Sequence, residues 1–243
     1  PIFAHMPLLH GQDGAKLSKR HGALGVDAYR DMGFLPEAIN NYLMRLGWSH
    51  GDDEIITQED AIRWFDITDV GKSASRFDID KLNNLNGHYM KKCDNDRLVQ
   101  LILPEITKLL KIKITPRIKG RLKNGMNSLK YKVSNIKELI DNSIVYCINR
   151  PLIIGPKAAK ALDKNGLNII KTVRANLVNL EPWTDKKLTE TIKEFAEKSN
   201  TDLGKIAQPL RSALCGSMPA SGIFEVMKVL GKEETLDRLN DVL

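Results

Sequence analysis

A short basic segment near the start of the sequence has the residue types of a phosphate-binding loop. The segment GAKLSKRHGAL, residues 14–24, places Lys16, Ser18, Lys19 and Arg20 between glycines that permit open and left-handed backbone conformations. Ammonium groups on a mobile loop can approach a triphosphate as negative charge develops on the departing phosphate. A solvated surface loop would have the same composition, so the segment alone leaves both interpretations open.

A second basic segment runs from residue 108 to residue 132 and carries nine lysine or arginine residues but no aspartate or glutamate. These residues are Lys108, Lys111, Lys113, Arg117, Lys119, Arg121, Lys123, Lys130 and Lys132. The formal net charge of the whole chain is +7, so its basic character is concentrated here. Such side chains neutralise phosphates and release counterions, which gives salt-sensitive affinity for RNA with little sequence information. Tyr131 could stack on an unpaired base. The alternative to RNA binding is that the lysines are only solvated and that Tyr131 is a half-buried packing residue.

The remaining residue types that could do chemistry do not indicate a metal site. Cys93, Cys147 and Cys215 are odd in number, widely spaced and without a CxxC pair, so we expect buried, inert thiols in a reducing compartment. The acidic run of residues 52–54 has no second set of ligands in the sequence and is interpreted as an exposed turn.

No apolar run approaches the roughly 20 residues that cross a bilayer, and we expect a cytoplasmic protein.

Helical patterns position the first basic segment. Pro36 and Gly47 bracket a helix with an apolar face, since proline is favoured at the start of helices and glycine at their ends. Thr57 is a typical N-cap for a second helix, to which Ile62, Phe65 and Ile67 should add apolar contacts. A third helix is expected from residue 77, with Gly87 near its end.

In the second half of the chain, helices are expected on both sides of the stretch that contains Pro116, Gly120 and Gly125. Residues 94–111 have helical apolar spacing that Pro104 interrupts, which predicts a kink or two helices. No alternating strand pattern of useful length appears, so the fold class is mainly α. Further helices are expected at about residues 134–148, 156–164, 166–180, 184–199, 202–215, 221–230 and 232–241.

Several segments together resemble a known enzyme family. KLSKRHGA is similar to the KMSKS-type signature of class I aminoacyl-tRNA synthetases, in the form carried by glutamyl-tRNA synthetases. The later segments LPEAINNYLMRLGWS, ITQEDAIRWFDI, SRFDIDKLNNLNGHYM and QPLRSALCGSMPASGIFEVMKVLGKEETLDRL resemble bacterial members of that family, in the same order. The resemblance covers essentially the whole chain and favours the phosphate interpretation of the first basic segment.

The resemblance implies an ATP-dependent ligase that activates glutamate, with ATP and Mg²⁺, and transfers it to tRNA. By the same resemblance Lys19 is the first candidate for the ATP contact and Lys16 the second, with Ser18 and Arg20 shaping the loop. The family's His-x-Gly-His element is not found, because the five histidines stand singly. We therefore expect a portion of an enzyme that is inactive by itself and holds no metal.

The family also implies a domain arrangement. Residues 1–92 would form the signature loop and a stem-contact domain, 93–152 the first helical part of an anticodon-binding domain, and 153–243 its second helical part. The Rossmann catalytic domain is expected to be absent. The expected partner is the tRNA for glutamate, or the tRNAs for both glutamate and glutamine, and the expected state is a monomer.

Two further alternatives remain open from the sequence. Arg211, within QPLRSALCG, is either an RNA contact or a buried arginine that fixes neighbouring carbonyls. The whole chain could instead be a non-catalytic RNA-binding or adaptor protein that derives from a synthetase tail, or a helical protein-interaction module.

Overall fold

The computed structural model describes residues 1, 3, 6–18, 24–216 and 222–243, and it is mainly helical, as the sequence predicts. The chain divides into two units. Unit 1 contains Pro1–Asp94 and Lys130–Leu139, and unit 2 contains Asn95–Leu129 and Ile140–Leu243. The three-segment division expected from the family stays a prediction.

Helix and strand bounds follow the chain order. The helices are α1 Val26–Asp31, α2 Pro36–Gly47, α3 Gln58–Trp64, α4 Ile79–Lys92, α5 Asn95–Leu110, α6 Pro116–Leu129, α7 Ile136–Ser143, α8 Pro156–Ala159, α9 Lys164–Val178, α10 Asp185–Lys198, α11 Leu203–Cys215, α12 Ile223–Leu230 and α13 Lys232–Asn240. Two short 3₁₀ helices, Ile67–Asp69 and Ile144–Tyr146, lie between them, and β1 Leu9–His10 pairs in parallel with β2 Ser75–Arg76.

Unit 1 is built on helices whose ends the sequence specifies. Pro36 occupies the first turn of α2, and the Thr57 side chain accepts a hydrogen bond from the Asp60 amide to cap α3. Asp78 caps α4 in the same way. The core packs α2 against α4 through Tyr42 and Leu82.

Two buried asparagines tie the loops of unit 1 to its helices. Asn41 Oδ1 accepts from the Ile56 amide at 2.8 Å, and Asn86 Oδ1 accepts from the Leu35 amide at 2.8 Å. Both asparagines are almost fully buried. Since buried polar groups require partners, these bonds hold the loops before α2 and α3 in single positions.

Gly33 joins the beginning of unit 1 to its later segment. Its backbone has a φ of +90°, and its carbonyl accepts from the Ile136 amide at 2.9 Å. A Cβ at this position would lie 2.9 Å from the amide nitrogens of Ile136 and Lys137. Only glycine fits both the left-handed backbone and this close approach.

In unit 2, α5 runs through its internal proline. Pro104 removes one backbone donor, but Leu98, Ile102 and Ile106 are fully buried along one face, and the helix continues to Leu110. The alternative of two separate helices is therefore wrong.

Gly125 allows α6 to pack closely against Tyr146, because a Cβ at residue 125 would lie 3.1 Å from the ring of Tyr146.

Helix α6 was not expected from the sequence. The basic segment contains Pro116 and two glycines, yet residues 116–129 form a continuous helix with Ile118, Leu122 and Met126 buried. Proline is tolerated because it stands in the first turn, where Thr115 Oγ1 accepts from the Ile118 amide. The apolar spacing of four residues was the available signal.

Smaller expectations were also wrong. Ile62 and Ile67 are 75% and 62% exposed instead of packed, whereas Phe65, 47% exposed, makes the expected apolar contact with the ring of Trp48 at a centroid distance of 5.8 Å. Gly87 lies inside α4, which continues to Lys92.

The described part of the chain contains no helix long and apolar enough to cross a membrane. Cys93, Cys147 and Cys215 are buried and form no disulfide with one another, which confirms the predicted burial.

Candidate nucleic-acid interface

The described part of the first basic segment forms a hydrogen-bonded turn beside the small sheet. His10 and Lys16 form an antiparallel bridge, and the Leu17 amide donates to the Leu9 carbonyl at 2.8 Å. Lys16 is exposed, and Ser18 is half-buried and has a bonding partner. Lys16 can therefore reach a phosphate in solvent.

Lys19, the first candidate for the ATP contact, and Arg20, which is expected to shape the loop, lie outside the described residues.

Four lysines of the second basic segment are exposed cations in unit 2. They are Lys108, Lys111, Lys113 and Lys119, and none of them forms an ion pair among the described residues. Lysines in this state are available to neutralise phosphates without first breaking a contact within the protein.

The two arginines of α6 instead share one carboxylate. Arg117 and Arg121 donate to the same oxygen, Oε2 of Glu234, at 2.8 and 2.9 Å. Arg121 and Glu234 have side chains that are 9% and 7% exposed, whereas the Arg117 side chain is 54% exposed. Arg121 is therefore occupied within the protein and is not available to RNA, whereas Arg117 still reaches solvent.

Two lysines of the segment also have partners within the protein. Lys123 Nζ lies 2.9 Å from Asp96 Oδ2 in an exposed ion pair, which contributes little to stability and can open. Lys130 is buried and donates to the Cys93 carbonyl at 2.8 Å. Lys130 is therefore not available to RNA either.

Tyr131 and Lys132 belong to unit 1, whereas residues 108–123 belong to unit 2. The Tyr131 side chain is 64% exposed, so it is not a half-buried packing residue, and Lys132 is exposed and has a bonding partner. An exposed aromatic ring next to a cation has the properties needed to stack on an unpaired base.

Arg211 is exposed on α11 and has a bonding partner, so it is not the buried arginine of the second alternative. That role belongs to Arg238, which is fully buried. Its guanidinium donates to the carbonyls of Val145 at 3.0 Å and Leu214 at 2.8 Å, and its Nε donates to Glu234 Oε1 at 2.8 Å. No local pattern predicts this role of Arg238, because the two carbonyls that it binds lie 93 and 24 residues away along the chain.

The ionisation of this cluster follows from its geometry. Burial alone would raise the pKa of Glu234, but hydrogen bonds from Arg121 and Arg238 outweigh it and hold that pKa below the ordinary value. Burial lowers the pKa of Arg238, and the carboxylate of Glu234 opposes this effect. The cluster is therefore charged at neutral pH.

Each unit has a cationic cleft that the sequence did not reveal. In unit 1 a cleft of about 830 Å³ is lined by residues that include Arg45, Arg76 and Lys81. In unit 2 a cleft of about 870 Å³ brings Lys111, Lys113 and Arg117 together with Arg150. Because Arg76 and Arg150 stand outside the basic segments, residue spacing gave no signal for them.

No group of histidine, cysteine or acidic side chains that could hold a metal ion is found among the described residues.

Family models match both parts of the chain. Residues 97–243 match the family described as anticodon binding domain, and residues 1–84 match tRNA synthetases class I (E and Q), catalytic domain. The segment that we assigned to the signature loop and the stem-contact domain is thus counted, in that family's definition, with the end of the catalytic domain.

Individual relatives agree with these matches. Glutamate–tRNA ligase 2 of Paramagnetospirillum magneticum is 52% identical and glutamate–tRNA ligase 1 of Bartonella henselae 47% identical over 100% of this chain. A crystal structure of a glutamate tRNA ligase from Elizabethkingia meningosepticum in complex with its amino acid superposes over 100% of this chain with a TM-score of 0.81 and 25% identity.

The chain spans about half the length of these relatives, since it covers 51% of each of the three. It therefore belongs to the anticodon-binding domain family and corresponds over its whole length to the C-terminal half of the class I glutamate–tRNA ligases.

Proposed function

We propose that this chain is the tRNA-binding portion of a glutamate–tRNA ligase. The observation that carries the proposal is the position of the unpaired lysines: Lys108, Lys111, Lys113 and Lys119 are exposed within the range that matches the anticodon-binding domain. Exposed cations without partners bind the phosphate backbone and give affinity that falls steeply with salt. Arg117, Lys123, Tyr131, Lys132 and Arg211 are secondary candidates for RNA contact.

In the whole protein, the first basic segment would serve the activation of glutamate by ATP and Mg²⁺. Lys19 and Lys16 would approach the phosphates, and Ser18 and Arg20 would shape the loop. An exposed Lys16 on a hydrogen-bonded turn is compatible with this role. The chain by itself should bind tRNA but form no glutamyl-adenylate.

Binding to tRNA tests the main proposal. We expect the chain to bind tRNA for glutamate with a dissociation constant that rises steeply between about 50 and 200 mM salt. Replacing the four unpaired lysines with glutamine should weaken binding and flatten the salt dependence. Lys193→Gln, at an exposed lysine of α10, is the control for nonspecific charge loss. A wild-type chain that binds no tRNA would refute the proposal.

Catalysis is tested separately. ATP–pyrophosphate exchange with glutamate should be at background for the chain alone. Exchange above background would contradict the proposed inactivity and leave the proposed RNA binding untouched. Binding assays with the tRNAs for glutamate and for glutamine measure which of them the chain accepts.

A further inference from the structure

The cleft of unit 2 is formed by three chain segments. The first segment contains Lys111, Lys113 and Thr115 in the connection between α5 and α6 and Arg117 in the first turn of α6. Residues 147–150 form the second segment, and Glu234 of α13 is the third. Its volume of about 870 Å³ is large enough to admit part of a polymer backbone, and it opens to solvent beside exposed side chains.

The floor of this cleft carries more positive than negative charge. Glu234 is the single carboxylate that binds Arg117, Arg121 and Arg238, and it is buried. One negative charge therefore faces three guanidinium groups. The next carboxylate, Glu233, is 84% exposed and lies 3.9 Å from Arg117, a distance at which solvent weakens the attraction.

The remaining cations of the cleft differ in how they are compensated. Arg150 donates to both oxygens of Asp241, at 2.9 and 2.7 Å, and also to Asp237, so its charge is satisfied. Lys111 and Lys113 are exposed and form no ion pair among the described residues. The positive charge that lacks a partner is thus at Lys111 and Lys113, beside Arg117, which shares the carboxylate of Glu234 with Arg121 and Arg238.

Lys111 occupies a backbone conformation that lysine does not favour. It follows the last residue of α5 with a φ of +51°, a position that helices usually fill with glycine. The lysine costs on the order of 1 kcal/mol relative to glycine there, so the backbone does not explain its presence.

We propose that this cleft binds phosphodiester groups of an RNA backbone, with Lys111, Lys113 and Arg117 as the contacting cations. The inference rests on the proposed RNA-binding function and narrows it to one site. A bound phosphate supplies the negative charge that the three arginines around Glu234 lack. Phosphate contacts position an RNA without reading its sequence, so the effect of the cleft should be equal for different tRNAs.

A matched pair of double variants tests the site. Lys111→Gln with Lys113→Gln removes two charges from the cleft, and Lys108→Gln with Lys119→Gln removes two exposed, unpaired lysines that do not line it. For the cleft variant we expect a loss of tRNA affinity on the order of tenfold, and a salt slope shallower by about two, equally for two different tRNAs. The variant with Lys108→Gln and Lys119→Gln should lose clearly less tRNA affinity.

The outcomes separate the two proposals. If wild-type protein binds no tRNA, the proposed function and the cleft fall together. If it binds and the two variants lose affinity equally, or the cleft variant loses none, the cleft assignment is overturned while RNA binding stands.

Crosslinking gives an independent measurement of proximity. Asn149→Cys, at an exposed position lining the cleft, can carry a thiol-linked photo-crosslinker, because the native cysteines are buried. We expect crosslinks to bound tRNA from this position in higher yield than from Lys119→Cys. The reverse order of yields would also overturn the assignment.

Discussion

Arg238 and Glu234 form a buried ion pair one turn apart on α13, with Nε and Oε1 separated by 2.8 Å and side chains that are 0% and 7% exposed. The same arginine reaches the carbonyls of Val145 and Leu214, so it connects α13 to the ends of two other segments. A buried charge pair is retained only when its remaining donors and acceptors are satisfied, and these carbonyls satisfy them.

Removing the carboxylate should destabilise unit 2 strongly. Glu234→Gln leaves Arg121 and Arg238 buried without a counter-charge, which should reduce the free energy of unfolding by about 3 kcal/mol or more. Urea unfolding at pH 7 measures this change. Glu233→Gln, whose side chain is 84% exposed, is the matched neighbour and should stay within about 0.5 kcal/mol of wild type. Equal effects of the two substitutions would contradict the role of Glu234 as the centre of the cluster.

The contribution of Glu234 should also depend on pH. The pKa of Glu234 is lower in the folded protein than its ordinary value of 4.5, so its stabilisation is present above about pH 4.5 and is lost as pH falls through the folded pKa. The difference in unfolding free energy between wild type and Glu234→Gln should be constant from pH 6 to 8 and shrink below about pH 4.5. Unfolding curves at a series of pH values measure it. A difference that grows on acidification would show that the carboxylate is not stabilised by the arginines.

Gly33 should be intolerant of any side chain. Gly33→Ala introduces a Cβ 2.9 Å from two backbone amide nitrogens at a φ of +90°. We expect it to reduce the free energy of unfolding by about 2 kcal/mol or more. Gly51→Ala is the control, because Gly51 has a φ of +52° but open space around its Cβ position. Gly51→Ala should reduce the free energy of unfolding by only about 1 kcal/mol, which is the cost of placing alanine in this backbone conformation. Thermal unfolding of both variants separates the effect of the steric clash from that of the backbone conformation. If Gly33→Ala is as stable as Gly51→Ala, the close contact of Gly33 with Ile136 is contradicted.

The native thiols should be unreactive. Burial raises the pKa of Cys147 to about 12 and that of Cys215 to about 11, partly opposed by nearby arginines. At pH 8 the thiolate fraction of Cys215 is on the order of one in a thousand, and access is blocked as well. A thiol reagent such as Ellman's should therefore modify neither cysteine in the folded protein, and both, together with Cys93, after unfolding in urea. Rapid modification of the native protein would contradict the burial.

The helices that the sequence predicts best are those with local end signals. Pro36, Thr57 and the regular spacing after residue 164 determine helices whose bounds differ from expectation by at most about two residues, because caps and apolar periodicity act over a single turn. Helix α6 was missed because glycines and a proline outweighed an apolar spacing that tertiary packing completes.

The candidate site was harder to predict, for a different physical reason. Whether a lysine or arginine is available depends on partners far away in the sequence: Arg117 and Arg121 meet Glu234 more than one hundred residues later. Residue type and spacing identify a cationic segment, but only the fold distinguishes exposed Lys113 from buried Lys130. The same holds for Arg150, whose place in the cleft no local pattern indicates.

The interruption of unit 1 by residues 95–129 affects the order in which the protein can fold during synthesis. The Gly33 carbonyl accepts a hydrogen bond from the Ile136 amide, and Ile136 is synthesised after α5 and α6. These two helices therefore leave the ribosome before unit 1 is complete. Closing so long a loop costs entropy and slows folding. Unit 2 is completed by Arg238, whose partners Val145 and Leu214 precede it by 93 and 24 residues. Each unit therefore closes only after a distant segment of its own chain has been synthesised, and α5 and α6 of unit 2 are made while unit 1 is still incomplete.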